Sequence, residues 1–134
     1  MEVKEYIEVG MSKEATFEVE ERYTAANIGS GSLAVLATPS MIGFMEQVGR
    51  DLLAQHLPQG YSSVGMHVDV RHLAPTPVGA QVRVRCEVTA IDGRRVDFTV
   101  LAWDTVEAIG EGQHQRVVIE EARFAQRVQA KASG

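Results

Sequence analysis

The sequence predicts an α+β fold in which one long helix packs across an antiparallel β-sheet. Three observations favour this fold. Residues Thr38–Leu57 carry apolar side chains with a helical period, and the chain beyond Pro58 alternates between polar and apolar residues as strands do. The strongest hairpin signal, Asp92-Gly93, separates two of these alternating stretches. A single helix with a wide apolar arc needs a large apolar surface to cover, and a sheet with one apolar face supplies it.

Composition and charge narrow the functional classes. The chain has 134 residues, 45% of them hydrophobic, which suffices for one domain over residues 1–134 with flexible or peripheral ends at residues 1–12 and 125–134. The 13 basic against 18 acidic residues give a net charge of −5 without a basic run, so nucleic acid is not an expected partner. Cys86 is the only cysteine, which excludes an intrachain disulfide and is typical of a reducing cytoplasm. With no signal-peptide pattern and no membrane-length apolar run, we expect a cytoplasmic protein without membrane contact.

Local signals place the elements up to the end of the helix. Residues 1–10 are interpreted as a lead-in arm, and a first strand is predicted at Ala15–Glu20. A helical turn is predicted at Thr24–Asn27, and a flexible lid-like loop at Gly29–Ser32. Thr38 is a good N-cap for the long helix, and Pro39 occupies the first helical position, where its missing N–H costs nothing. The stop signal Pro58–Gly60 predicts where this helix ends.

One acidic residue interrupts the apolar arc of the helix. Seven residues make up that arc: Met41, Ile42, Met45, Val48, Leu52, Leu53 and Leu57. Glu46 falls inside it, close in angle to Ile42. Because a carboxylate directed at a core is costly unless it is partnered, Glu46 is either a rim residue that reaches water or a placed functional acid.

Four further strands are predicted after the helix. They cover Ser62–Leu73, the alternating stretch from Gln81 to Val88, its hairpin partner from Val96 to Ala102, and Ala108–Glu121. Pro75 and Pro77 close the first, because proline cannot donate to a central ladder. The buried face of the second should carry Val82, Val84, Cys86 and Val88. We expect these strands to form an antiparallel meander that wraps the helix, and the tail from Ala125 onward to fray.

His72 is the first candidate for chemistry. It shares the predicted inward face of its strand with Met66, Val68 and Val70 and is the last such position before the prolines. A histidine there is either a core residue bonded to a carbonyl or a proton carrier that a ligand can reach. If Glu46 is buried close to His72, it becomes a candidate general base or nucleophile.

The remaining candidates have structural explanations as well. Capping alone explains Thr38, although a hydroxyl at a helix N-terminus is also suited to bind a carboxylate or a developing oxyanion. Gly65 marks either a bulge or a close backbone approach by a ligand. Arg116 is a strand-surface residue or an anchor for an anion, and Cys86 is expected to be inert packing. The other histidines lack acidic or thiol neighbours at ligand spacing, so no zinc site is predicted at His56, His67 or His114.

These residues together resemble the hotdog-fold acyl-CoA thioesterases, specifically the fluoroacetyl-CoA thioesterase-like family. The matching segments are Ala37–Glu46, Gly65–His72, Ala74–Gly79, Asp92–Arg95 and Gly110–Ile119, in the same order and with similar spacing from about Ala15 to Phe124. The resemblance implies a hotdog fold, a homodimer with active sites at the subunit interface, and hydrolysis of small acyl-CoA thioesters without a cofactor. Whether two such dimers pair into a tetramer stays open. Carried over by position, Thr38, Glu46 and His72 are similar to the family's catalytic residues. Gly65 resembles the glycine beside the substrate carbonyl and Arg116 the arginine near the acyl pocket.

One departure bears on the substrate. The family's fluoroacetyl-specific enzyme has phenylalanines in the loop before its catalytic threonine, whereas this chain has Gly29–Leu33 without an aromatic residue. We therefore expect a general small acyl group rather than fluoroacetyl specificity. Two alternatives stay open: a non-catalytic acyl-CoA-binding protein, and an enoyl-CoA hydratase or dehydratase. The latter usually carries an Asp-then-His pair at the start of the helix, which Ala37–Ser40 lacks.

Overall fold

A single five-stranded antiparallel sheet covers one long helix in the computed structural model, which describes all 134 residues. The strands are β1 (Ser12–Glu18), β2 (Tyr61–His72), β3 (Gln81–Asp92), β4 (Arg95–Trp103) and β5 (Ala108–Glu120). The helices are α1 (Ala25–Ile28), α2 (Thr38–Ala54) and α3 (Glu121–Ser133), with short 3₁₀ turns at Val3–Glu5 and Glu21–Tyr23. The predicted α+β architecture is confirmed. None of the helices has both the length and the apolarity needed to span a bilayer.

The strand order corrects one expectation. The sheet runs β1-β3-β4-β5-β2, so β3, β4 and β5 form a meander while β2 lies beyond β5 at the edge. The connection from β2 to β3 passes the start of α2, where the Leu36 N–H donates to the Thr76 carbonyl at 2.8 Å. It then reaches β1, where the Val19 N–H donates to the Ala80 carbonyl at 2.9 Å. A four-strand meander in chain order is therefore wrong, because the proline-rich connection crosses to the far side of the sheet.

The core lies between α2 and the inward face of the sheet. The predicted inward residues of β3 are confirmed: Val82, Val84, Cys86 and Val88 have no exposed surface. The alternating residues of β4, Val96, Phe98, Val100 and Ala102, are buried in the same way. Each large apolar side chain buried in this way contributes about 1.5–3 kcal/mol. In α2, the predicted Met41, Met45, Val48, Leu52 and Leu53 are buried, whereas Ile42 is only partly so. Leu57 is also partly buried but lies beyond Ala54, where α2 ends before its predicted limit. Phe44 is buried as well, because Phe17 stacks on its ring at 4.3 Å and Tyr23 packs edge-on at 4.9 Å.

Both ends of the chain are more ordered than their sequences suggest. The predicted lead-in arm contains Val3 and Ile7, which are buried in the core. The tail expected to fray instead forms α3, a peripheral helix without a buried residue. Its alanine, glutamine, arginine and lysine residues have high helix propensity, and this explains the helix in the absence of core packing.

β2 is an exposed edge strand that deviates from its predicted pattern. Its register against β5 shifts between Gly65 and His67, which marks a β-bulge. Met66 and Val68, predicted to face inward, are 54% and 37% exposed. Because the helix does not cover this part of the strand, the edge presents unpaired backbone groups beside exposed apolar side chains.

Candidate active site

The first cluster forms where α2 begins. Ala37 is the N-cap, and Thr38 is the first helical residue without a side-chain capping bond. The Thr38 hydroxyl instead lies 2.7 Å from Nδ1 of His72 at the end of β2. The predicted capping role of Thr38 is therefore wrong, and its side chain is free to orient the imidazole.

His72 has one ring nitrogen in use and one available. Its Nε2 is buried and has no hydrogen-bond partner. Burial lowers the pKa of His72, and the neighbouring Ala74 backbone acts in the opposite direction. The imidazole is thus neutral near pH 7, when it is able to accept a proton.

A cavity of about 340 Å³ adjoins this pair. Thr38, His72 and Ser30 are the polar residues that line it. The remaining lining residues are apolar and include Ala25, Val35, Leu36, Leu73 and Pro75. The loop predicted to be lid-like contributes Ser30, so a segment without aromatic side chains closes one side of the cavity.

The second cluster surrounds Glu46, on the sheet-facing side of α2. The Glu46 side chain is 42% exposed, and its Oε2 lies 3.8 Å from Nη1 of Arg116, whose side chain is only 6% exposed. Arg116 donates from Nε to the Ser63 hydroxyl at 2.8 Å and from Nη2 to the Ser63 carbonyl at 3.0 Å. Its Nη1 is 3.1 Å from Nε2 of His114. The buried position of Arg116 excludes its interpretation as a strand-surface residue.

The charge of Arg116 survives its burial. Desolvation lowers the pKa of the guanidinium, while the Glu46 carboxylate raises it. An arginine stays protonated through any shift of ordinary size, so this cluster keeps a buried positive charge next to a half-exposed carboxylate.

Gly65 shapes the same cluster by having no side chain. A Cβ at this position would lie 2.7 Å from Oε2 of Glu46. The glycine at the bulge therefore allows the carboxylate to lie directly against the β2 backbone.

The predicted site residues thus fall into two groups within one chain. Thr38 and His72 are together, as are Glu46, Gly65 and Arg116, but no hydrogen bond or ion pair joins Glu46 to His72. Thr38 and Glu46 are eight residues apart on α2, an axial rise of about 12 Å.

Sequence reasoning missed two members of the second group, Ser63 and His114. From the sequence, His114 enters only as a histidine at which no zinc site is predicted. The alternation along β5 could have revealed it, because His114, Arg116 and Val118 share one buried face.

Known proteins with similar sequences and folds identify the family of this chain. A family model described as fluoroacetyl-CoA-specific thioesterase matches residues 19–122. The fluoroacetyl-CoA thioesterase of Streptantibioticus cattleyicolor is 39% identical over 97 residues, which are 72% of this chain and 70% of that protein. A solved structure of the fluoroacetyl-CoA thioesterase FlK is 33% identical with a TM-score of 0.88, over 93% of this chain and 97% of that one.

A second solved structure extends the likeness to the whole chain. A hot-dog-like protein from Thermanaerovibrio acidaminovorans has a TM-score of 0.91 at 27% identity, over 100% of this chain and 99% of its own. The hotdog fold is confirmed, with α2 as the helix that the sheet wraps. The chain belongs to the fluoroacetyl-CoA-specific thioesterase family and is a thioester hydrolase.

Proposed function

We propose that this protein hydrolyses small acyl-CoA thioesters at a composite site, in which Thr38 and His72 come from one subunit and Glu46 from a second copy. The observation that carries the proposal is the division of the site: one chain pairs Thr38 with His72 but holds Glu46 elsewhere. A related structure of FlK was solved with fluoroacetate and CoA, which supports an acyl-CoA as the substrate.

The exposed edge of β2 supports a homodimer. An edge strand with free backbone groups and exposed Met66 and Val68 is suited to pair with an identical strand. In a two-fold antiparallel pair centred on Asp69, Val70 of one copy lies opposite Val68 of the other, and the bulge at Met66 brings Gly65 opposite His72. Because Glu46 lies against Gly65, this register brings the Glu46 carboxylate to the imidazole of the other subunit.

The chemistry follows from the two clusters. As a general base, Glu46 takes a proton from water while the water oxygen forms a bond to the thioester carbonyl carbon. The C–S bond then breaks and CoA leaves as a thiolate, and the neutral imidazole of His72 relays the proton taken up by Glu46 to the thiolate sulfur. As a nucleophile, Glu46 would instead form a transient mixed anhydride that water hydrolyses. Both routes need only side chains, so no metal or redox cofactor is part of the proposal.

Thr38 and the cavity beside it account for substrate placement. The Thr38 hydroxyl holds His72 through Nδ1, which leaves Nε2 directed to the reaction. Backbone N–H groups at the start of α2 are suited to stabilise the oxyanion. We assign the acyl group to the cavity of about 340 Å³, whose small and aliphatic lining favours a short, general acyl chain over fluoroacetyl alone.

Complementation between two inactive variants tests the composite site. His72→Ala and Glu46→Gln would be co-expressed with different tags, and the heterodimer would be assayed for free thiol released from a panel of acyl-CoA esters. Each homodimer should be inactive. The heterodimer has one site with both groups intact, so we expect about half of the wild-type activity, as one of two sites predicts.

The matched control joins a wild-type chain to a chain carrying both substitutions. In a composite arrangement each site of this heterodimer lacks one group, so it should be inactive. Activity in the control but not in the first heterodimer would place Glu46 and His72 in the same chain. An active Glu46→Gln homodimer would remove Glu46 from the chemistry altogether.

A further inference from the structure

His114 is a buried titratable side chain to which the proposed reaction assigns no role. It is 1% exposed, and its ring stacks on Phe98 with centroids 6.0 Å apart. From the other side α2 approaches at Gly49, where a Cβ would meet Cδ2 of His114 at 3.5 Å. The ring is thus held between the sheet and the helix, with both nitrogens in contact with polar groups.

The two contacts determine the protonation of this histidine. Nδ1 lies 3.0 Å from the carbonyl oxygen of His67, which only accepts, so Nδ1 must carry a proton. Nε2 lies 3.1 Å from Nη1 of Arg116, which only donates, so Nε2 must be bare. Both bonds exist together only in the neutral imidazole with its proton on Nδ1.

His114 therefore connects two parts of the Glu46 cluster. Its Nδ1 bonds to β2 at the residue that follows the bulge, and Ser63, on the other side of that bulge, bonds to Arg116. Its Nε2 accepts from the same Nη1 that faces Glu46 at 3.8 Å. The guanidinium is thereby fixed in the orientation that presents Nη1 to the carboxylate.

We propose that His114 is a positioning residue of the thioesterase: as a neutral acceptor it orients Arg116, and through Arg116 it holds Glu46 against Gly65. The inference rests on the proposed role of Glu46. The charged and titratable groups that face the ring are Arg116 on β5, Glu46 on α2 and His67 on β2. A second positive charge on the ring would point Nε2–H at the guanidinium and break this arrangement.

A double-mutant cycle tests the route through Arg116. His114→Leu leaves the guanidinium without its acceptor and should lower kcat roughly tenfold with little change in KM, the loss expected for one hydrogen bond to a charged group. His114→Gln offers an amide acceptor and an amide donor in place of the two ring nitrogens and should recover most of the activity. In an Arg116→Met background, His114→Leu should cause no further loss. His56→Gln, at an exposed histidine, is the control that should leave kcat unchanged.

A measurement on the unmodified protein covers the case in which His114→Leu fails to fold. Nitrogen-15 NMR of the histidine rings near pH 7 should show His114 neutral and protonated at Nδ1, as its two hydrogen bonds require.

Three outcomes would overturn the role of His114. The first is an imidazole of His114 that is protonated at Nε2. The second is a further loss of kcat when His114→Leu is added to Arg116→Met. The third is an equal loss of kcat in the His114→Leu and His114→Gln variants. Glu46→Gln, assayed in parallel, keeps the two proposals apart. If it stays active, the role of Glu46 fails; if it is inactive while His114→Leu is fully active, only the role of His114 fails.

Discussion

The two clusters of the candidate site on α2 differ in how completely their polar groups are paired. At its N-terminus, Thr38 and His72 form a neutral pair beside a cavity, and Nε2 of His72 is the only buried side-chain nitrogen or oxygen without a partner. Two turns further on, Glu46 is held by a buried cation whose three donor nitrogens are all engaged. The first cluster leaves a bonding position open for a substrate, whereas the second is complete before any substrate arrives.

Under the proposed mechanism, this difference separates His72, which moves a proton, from Arg116, which holds Glu46 in place. A buried guanidinium is tolerated only when hydrogen bonds replace its hydration, and Ser63 and His114 supply them. Such a network is costly to rearrange, so it suits a fixed electrostatic support. The neutral imidazole of His72 has an unpaired Nε2 that can take up a proton and pass it on, which suits proton transfer.

We expect the largest loss of activity from Gly65→Ala, which displaces the Glu46 carboxylate without altering the core. The new Cβ would be 2.7 Å from Oε2 of Glu46, the mobile end of a half-exposed side chain, so the carboxylate would move and the fold would not. A displacement of about 1 Å in a catalytic group costs roughly 100-fold in kcat/KM. Thiol-release kinetics and thermal denaturation would measure the two effects separately.

Gly49→Ala is the matched control for Gly65→Ala. It adds the same methyl group on α2, where the nearest neighbour is 3.5 Å away in ordinary contact, so activity should persist. A fully active Gly65→Ala enzyme would show that the position of Glu46 at the bulge is irrelevant to turnover.

We expect a smaller loss of activity from Thr38→Val, which changes the pair formed by Thr38 and His72. This nearly isosteric change removes the hydroxyl that lies 2.7 Å from His72 Nδ1, and loss of one neutral hydrogen bond corresponds to roughly a fivefold to tenfold decrease in kcat. Thr38→Ser keeps the hydroxyl and should retain most of the rate. If the valine and serine variants were equally active, His72 would not depend on Thr38 for its orientation.

The smallest effect concerns stability at low pH. Burial lowers the pKa of both His72 and His114 from the ordinary 6.5, so the unfolded chain binds protons at a pH where the folded chain does not. The free energy of unfolding should therefore fall as the pH drops from about 6.5 toward those lowered values, by at most about 1.4 kcal/mol per pH unit for each proton. Urea denaturation at fixed protein concentration, at several pH values, measures the slope.

His114→Gln should flatten that slope, since glutamine does not titrate in either the folded or the unfolded chain. An unaltered slope in His114→Gln would mean that His114 takes up its proton equally in the folded and unfolded chains.

Much of the fold and part of the site were predictable from local pattern. The alternation in β3 identified the inward residues from Val82 to Val88, although the bulge before Ala90 brings Ile91 to the same face. The position of Glu46 in an apolar arc identified it as an acid that needs a partner. Family resemblance, rather than pattern, connected Thr38, Glu46 and His72. The period of side chains reports which face of an element is apolar, but it does not report what lies opposite that face.

The sequence by itself determined the identity of the elements: the helix that begins at Thr38, the strands that alternate around Asp92-Gly93, and a strand that ends at His72 before two prolines. Only the tertiary structure decided that β2 is an edge strand beyond β5, that Thr38 bonds to His72 across 34 positions, and that Arg116 is held by Ser63 across 53. The physical reason is that propensity and hydrophobic period act over a few neighbouring residues. Hydrogen bonds between distant residues form only after the whole chain has closed around α2.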